Sequence, residues 1–299
     1  GTVGVAALTV GGLLGGWVIA VHGLKRTLWP LVVAMHLPNT VFVALAATQP
    51  EGLALISAAV AVEQFGYGFG FTAYMVYMLM VAGGTWWEGK PWSGGKKFWS
   101  DAVYGLRPGD KGWRNLGRLP RPLAYGAAVP VKGGLLLVGG QTDSSVSSQL
   151  IEVSLGGPGI KIKELHRMPL PTAWTCAGVL GDRLYVASGG DGFPAANQAY
   201  RTFWSFNLKN PAEEWRELDT WTGSPRFLAS MTAVGDVLYF AGGTDFGGGK
   251  RLFRHDAYAF QPKAGWRKIA DLPVALQGGL AAEVRGRAVF FGGNDGAWA

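Results

Sequence analysis

The chain has 299 residues and a mass of 31.7 kDa, enough for one large or two modest domains. Its one cysteine, Cys176, excludes an intrachain disulfide framework and a thiolate metal cluster. The net charge of +7 is scattered as single cations among acids and aromatics, with no run beyond Lys96-Lys97, which argues against a nucleic-acid footprint.

The first third is almost uncharged. Lys25, Arg26, Glu51 and Glu63 are its only Asp, Glu, Lys or Arg side chains before residue 82, so 25 basic and 18 acidic residues fall in the remainder. The chain starts at Gly1 inside an apolar run, without a start methionine, as expected of a piece of a longer protein. Residues 3–21, 28–47 and 53–82 are apolar all round, and about twenty such residues cross a bilayer. They predict three transmembrane helices over residues 1–84, a partial transporter, followed by a linker at 85–97. The loops "HGLKR", "TQPEG" and "EGKPWSGGKK" are basic, acidic and basic. By the positive-inside rule, everything after residue 84 is then cytoplasmic.

Glu63 is a carboxylate at membrane depth, which makes it a candidate for transport or proton handling; the alternative is a place near the helix end, or hydrogen bonds to a neighbouring helix. Gly66, Gly68 and Gly70 read as close helix packing, because no strand precedes them and no Lys-Ser or Lys-Thr follows, as a phosphate loop requires. "VGGLLGGWVIAVHGLKR" resembles a helix and turn of the major facilitator superfamily, and "VEQFGYGFGFTAYMVYML" is similar to a late helix of its muropeptide-permease-like branch. That resemblance implies an integral protein of a bacterial inner membrane, short of most of the twelve helices a carrier needs.

The remaining two hundred residues repeat. Glycine doublets close apolar runs at Gly139-Gly140, Gly189-Gly190, Gly242-Gly243 and Gly292-Gly293, spaced by 50, 53 and 50 residues, which is the kelch period. Before each doublet stand a proline-containing lead-in, a small-residue strand, a polar turn and an aliphatic or aromatic strand, as in "LPRPLAYGAAVPVKGGLLLVGG" and "SPRFLASMTAVGDVLYFAGG". A single four-stranded blade cannot bury both faces, so blades stack around an axis. Trp113, Trp215 and Trp266 open outer strands and read as packing between blades. "FWSDAVYGLRPGDKGWRNLG" parallels "FRHDAYAFQPKAGWRKIA", so the propeller is expected over 98–299, opening on the third and fourth strands of a blade. The two half-blades could pair to close a ring of four blade equivalents, or further blades could be missing. Cys176 reads as a small buried hydrophobe.

"LPRPLAYG", "GSPRFLAS", "FRHDAYAF" with "GWRKIADLP", and "GGNDG" resemble the cyclically permuted kelch proteins of the N-acetylneuraminate epimerase, or sialic-acid mutarotase, family. The resemblance implies a six-bladed propeller, of which four blade equivalents make an incomplete ring, that interconverts the anomers of an acidic sugar, here coupled to sugar uptake. Opening a hemiketal ring needs a base, an acid and a cation to hold the sugar carboxylate, and an arginine fork suits the last task. The family's Arg-x-Asp-Ala stretch falls on Arg254, beside His255 and Asp256, which nominates Arg254 as substrate anchor with Asp256 next to it. Arg226 and Arg121 rank second, as the starts of inner strands. Where the family's basic glutamate is sought stand Thr244 and Asp245, which nominates Asp245 as the catalytic carboxylate, one methylene shorter. No cofactor is implied, and His166 and His255 lie too far apart in sequence for a metal motif. The alternatives are a non-catalytic kelch module that binds a sugar or a protein, and a fragment without activity of its own.

Overall fold

The computed structural model describes residues 2–22, 24–49, 52–75, 79–90, 94–106, 110–156, 159–192, 198–247 and 250–296. The chain divides into two compact units, Gly1–Met80 with Gly105–Arg114, and Val81–Tyr104 with Asn115–Ala299.

The first unit is helical: α1 (Thr2–His22), α2 (Leu24–His36), a 3-10 turn (Leu37–Asn39), α3 (Thr40–Thr48) and α4 (Leu53–Met75). Glycine sits where two of these helices touch. A Cβ on Gly11 would meet the Phe65 carbonyl, and one on Gly68 would meet that of Leu8. Gly66 is likewise closed off by Pro38 and the Ala34 carbonyl, while Gly70 lies outside the residues whose packing is described.

The expectation of three transmembrane helices is corrected. Among the described residues no helix is long and apolar enough to cross a membrane. The run 28–47 is broken at the 3-10 turn, where Pro38 interrupts the helical hydrogen bonding, and its two parts belong to separate helices of 13 and 9 residues, Leu24–His36 and Thr40–Thr48. The run 53–82 ends as a helix at Met75 and contributes Leu79–Ala82 to a sheet instead. Five of the 21 residues of α1 are glycines, which bring no apolar side chain. The inner-membrane location, and the orientation read from the loop charges, lose their premise with the spans. Glu63 is half-buried on α4 and accepts a hydrogen bond from Gln64 Nε2 at 2.6 Å; its nomination for transport falls with them.

The second unit is β-sheet. In chain order its strands are β1 (Leu79–Ala82), β2 (Thr85–Glu88), β3 (Lys96–Trp99), β4 (Ala102–Leu106), β5 (Arg114–Arg118), β6 (Ala127–Val131), β7 (Gly134–Val138), β8 (Leu150–Gly156), β9 (Gly159–Glu164), β10 (Cys176–Leu180) and β11 (Arg183–Ala187). There follow β12 (Phe203–Asn207), β13 (Arg216–Glu217), β14 (Ser230–Val234), β15 (Val237–Ala241), β16 (Thr244–Gly247), β17 (Lys250–Phe253), β18 (Ala257–Gln261), β19 (Gly265–Lys268), β20 (Leu280–Val284) and β21 (Arg287–Phe291).

They form three complete four-stranded sheets, β6-β7-β8-β9, β10-β11-β12-β13 and β14-β15-β18-β19, preceded by β1-β4-β5 and followed by β20-β21. The repeat is therefore real, but the expected blade count is not. The first sheet also contains β1, whose "LMVAGG" ends on a fifth glycine doublet that its apolar surroundings disguise as membrane helix. Three strands at one end and two at the other are one too many for a single blade, and they belong to separate sheets, so among the described residues the two half-blades do not pair to close a ring. The segment 85–97, expected as a linker, carries β2 and the start of β3, which pair as a hairpin.

The doublets do mechanical work between neighbouring sheets. Gly84, Gly140, Gly189 and Gly243 each donate a backbone N–H to a carbonyl in the lead-in of the next sheet: Leu123, Thr172, Arg226 and Leu276, at 2.6 to 3.0 Å. The residue before each is left-handed, with φ of 70° at Gly83, 61° at Gly139, 60° at Ser188 and 70° at Gly242. In the third sheet the structural pair is thus Ser188-Gly189, one residue earlier than the sequence doublet. A Cβ on Gly83, Gly139 or Gly242 would collide with the Leu123, Thr172 or Leu276 carbonyl, whereas the third sheet carries Ser188 at this place.

The core lies between successive sheets. Val129, Leu136, Leu150, Leu184, Val186, Phe206 and Trp215 fill one interface, and Tyr185, Phe203, Trp221, Phe240 and Phe260 the next. Each such side chain contributes about 1.5 to 3 kcal/mol of apolar burial. Trp215 and Trp266 tie the interfaces polarly as well, their indole N–H groups donating to the His166 and Asp219 carbonyls at 2.9 and 3.0 Å. Trp113 is 49% exposed and has no comparable burial.

Candidate functional site

Small residues on β6, β10, β14 and β20 let these inner strands converge around a shared channel. One cavity of about 360 Å³ is lined by Tyr125–Ala128, Trp174–Ala177, Leu228–Met231 and Gly278–Ala281, and one of about 430 Å³ continues along the same four strands.

The mouth of the channel is a repeated backbone device. Tyr125, Trp174, Leu228 and Gly278 are all left-handed, with φ of 60°, 54°, 56° and 62°. Trp174 N–H donates to the Tyr125 carbonyl, Leu228 to Trp174, and Gly278 to Leu228, at 2.6, 2.9 and 2.8 Å. Three non-glycine residues in a conformation that strains an L side chain, linked around one opening, are held there by the surrounding sheets. An aromatic arc accompanies them. Trp99 meets Tyr125 edge-on at 5.8 Å, Tyr125 meets Trp174 at 6.3 Å, Trp174 meets Phe227 at 5.1 Å, and Phe227 meets Phe246 at 5.8 Å. Lys97 lies 4.4 and 4.6 Å from the Trp99 and Tyr125 ring centres. None of these was singled out from the sequence, although an aromatic two residues before a small-residue strand, at both Tyr125 and Trp174, is a signal that could have marked the mouth.

The nominated arginines part company here. Arg226 is completely buried. Its Nη1 and Nη2 bond the two carboxylate oxygens of Asp256 at 2.8 and 2.7 Å, Nη1 also donates to the Gly242 carbonyl, and Nε donates to that of Ser224. Trp221, Phe240 and Tyr258 surround the guanidinium at 5.6 to 5.8 Å. Asp256 is committed in turn, since the Tyr258 hydroxyl donates to it at 2.8 Å. Burial pushes its carboxyl up, but the Arg226 fork and charge, with the Tyr258 hydroxyl, hold it below the usual value. The two residues satisfy each other.

Arg121 is exposed. Its "LPR" looks like the "SPR" of Arg226, yet the hydrogen bonds equate Leu123, not Arg121, with Arg226. The resemblance of the two proline-arginine pairs is out of structural register by two residues.

Arg254 and Asp245 are brought together by the β16–β17 hairpin, which projects from the mouth of the fourth sheet. Arg254 Nε and Nη2 both bond Asp245 Oδ2, at 3.1 and 2.7 Å. The Asp245 side chain is 10% exposed and that of Arg254 29%. Asp245 Oδ1 is buried and has no hydrogen-bond partner among the described residues. Among the described residues, no group of three or more His, Cys, Asp or Glu is placed to hold a metal ion. Cys176 is buried beside the channel, and burial pushes its thiol up to about 12, against the lesser pull of the Ser188 hydroxyl.

No family model matches the chain. It is 26% identical over 207 residues to a protein named N-acetylneuraminate epimerase from Pasteurella multocida, an alignment covering 66% of this chain and 45% of that one. A protein of the same name from Vibrio vulnificus is 32% identical over 111 residues, 33% of this chain and 28% of the other. The chain thus spans under half of either relative. A solved structure of YjhT superposes with a TM-score of 0.63 at 15% identity, covering 74% of this chain and 75% of that one, a likeness of fold alone. These matches fall on the sheet-forming part and support a kelch-like, propeller-like fold. They give no support to the resemblance of residues 1–82 to the major facilitator superfamily, and the transporter reading is withdrawn with the membrane spans.

Proposed function

We propose that the sheet-forming unit binds an acidic sugar at the channel mouth and exchanges its anomers, a reading supported by relatives that are named N-acetylneuraminate epimerase. Arg254 carries this reading: of the nominated arginines it alone combines partial exposure at the mouth with a fixed guanidinium. An arginine held on one edge offers the other to a carboxylate. The neighbouring left-handed ring and aromatic arc supply an apolar wall for a sugar ring. In the exchange, a base removes the anomeric hydroxyl proton as the bond from the anomeric carbon to the ring oxygen breaks, and an acid protonates that oxygen. Reclosure on the other face reverses these steps.

Magnetisation-transfer NMR on the full chain with N-acetylneuraminate tests the reading. Faster anomer exchange than in buffer is expected, reduced at least tenfold in Arg254→Leu. No acceleration with this or another acidic sugar would overturn it.

One observation favours a second reading, of a binding module without turnover. Asp245, the carboxylate nominated for catalysis, is engaged by Arg254 through one oxygen and buried at the other. Tight sugar binding with unaccelerated exchange would decide for it.

A further inference from the structure

Asp245 and Arg254 were each nominated for direct contact with substrate, yet they contact one another. Both hydrogen bonds from the guanidinium converge on Oδ2, at 3.1 and 2.7 Å, rather than forming the two-oxygen fork that Arg226 makes with Asp256. Asp245 Oδ1 is buried and, among the described residues, makes no hydrogen bond, while Oδ2 is taken up by the guanidinium, so neither oxygen is open to a proton from a ligand. The backbone restrains the pair further. Asp245 pairs with Leu252 across the hairpin, the Thr244 hydroxyl donates to the Leu252 carbonyl at 2.9 Å, and Arg254 N–H donates to the Gly243 carbonyl at 2.9 Å. Among the described residues, Arg254 Nη1 makes no hydrogen bond. A buried carboxylate therefore grips the Nε and Nη2 nitrogens and leaves Nη1, on a side chain 29% exposed, for a ligand.

We infer that Asp245 is a positioning residue: it holds the Arg254 guanidinium in the orientation that receives a carboxylate, and proton transfer belongs to another group. The inference rests on the proposed role of Arg254 as anchor. An unheld arginine side chain samples many rotamers, and freezing them before binding lowers the entropy lost when the anion arrives. Asp245→Asn keeps the shape, removes the charge and replaces the strong bonds to Oδ2 by weaker ones.

The test uses the full chain, with circular dichroism to verify that each variant is folded, and has a ligand-free and a ligand-bound arm. In the first, the Arg254 Nε–H resonance, assigned by its loss in Arg254→Lys, is expected to report a rigid side chain in the wild type and a mobile one in Asp245→Asn. In the second, Asp245→Asn is expected to raise KM for N-acetylneuraminate at least tenfold while the pH profile of kcat keeps its shape. Asp245→Glu is expected to regain part of the loss, and serves in both arms if the asparagine variant does not fold. An unchanged Arg254 resonance overturns the inference. So does an unchanged KM with collapsed kcat and a vanished acidic limb, which would make Asp245 the base. If the wild type neither binds nor converts the sugar while the resonance still passes from rigid to mobile, the positioning role stands and the acidic-sugar reading is the one that falls.

Discussion

Arg226 and Arg254 lie in segments that lead into strands of the same sheet, β14 and β18, and face opposite fates because of where their carboxylate partners lie. Arg226 meets Asp256 inside a wall of aromatic rings, where removing one charge strands the other in a poorly solvated place. Arg226→Leu is expected to lower the unfolding free energy by about 3 to 5 kcal/mol in urea titrations at pH 7. Arg226→Met combined with Asp256→Leu is expected to recover much of that, because no unpaired charge remains. Cys176 offers a second check at this scale. With its thiol buried and pushed up to about 12, almost no thiolate forms near neutral pH, so alkylation of the native chain is expected to run at least about a hundredfold slower than in guanidinium chloride. Native-rate labelling would place Cys176 elsewhere than in the wall of the channel.

The element that repeats is a strand pair, a left-handed corner and a hydrogen bond to the next sheet. Two glycines with similar dihedral angles separate the contributions. Gly181, at φ 57°, turns β10 into β11 with open space where a Cβ would go. Gly181→Ala is expected to cost about 1 kcal/mol, the left-handed strain alone. Gly242, at φ 70°, would drive its Cβ into the Leu276 carbonyl that Gly243 must reach. Gly242→Ala is expected to cost about 3 kcal/mol, strain plus a lost intersheet hydrogen bond, measured by the same titrations. Equal costs would mean that the corner does not hold neighbouring sheets together. The tryptophan rungs obey similar logic: Trp215 and Trp266 each fill an intersheet gap and donate across it, whereas Trp113, with the same place in the repeat, is left half in solvent.

Across the whole molecule, acid is expected to loosen the sheets before it affects the strands themselves. Asp256 has its carboxyl held below the usual value, and so does Glu213, through the Asn207 amide and Arg183. A depressed folded value means that the stabilisation is complete above the unfolded value, about 4 for a carboxylate, and is lost as pH falls through the lower folded one. Urea midpoints are therefore expected to decline below about pH 4, and the decline to be shallower in Asp256→Asn, which has no proton to take up at that position. A variant as steep as the wild type would assign the acid sensitivity to other groups.

What the amino-acid order determined alone was the period and the grammar of the sheet. Glycine doublets about fifty residues apart, small residues on inner strands and tryptophan on outer ones are local requirements, and local chemistry is written in sequence. The same locality misled at "LMVAGG", since an apolar strand and the tail of an apolar helix present the same residues, and only pairing with β4 tells them apart. It misled again at Arg121 and Arg226, where matching letters stand two residues apart in hydrogen-bond register. Whether a charge is spent inside the fold or kept for a ligand depends on which carboxylate arrives beside it from thirty residues away, as Asp256 does for Arg226. That is a property of packing in three dimensions, and only the tertiary structure decided it.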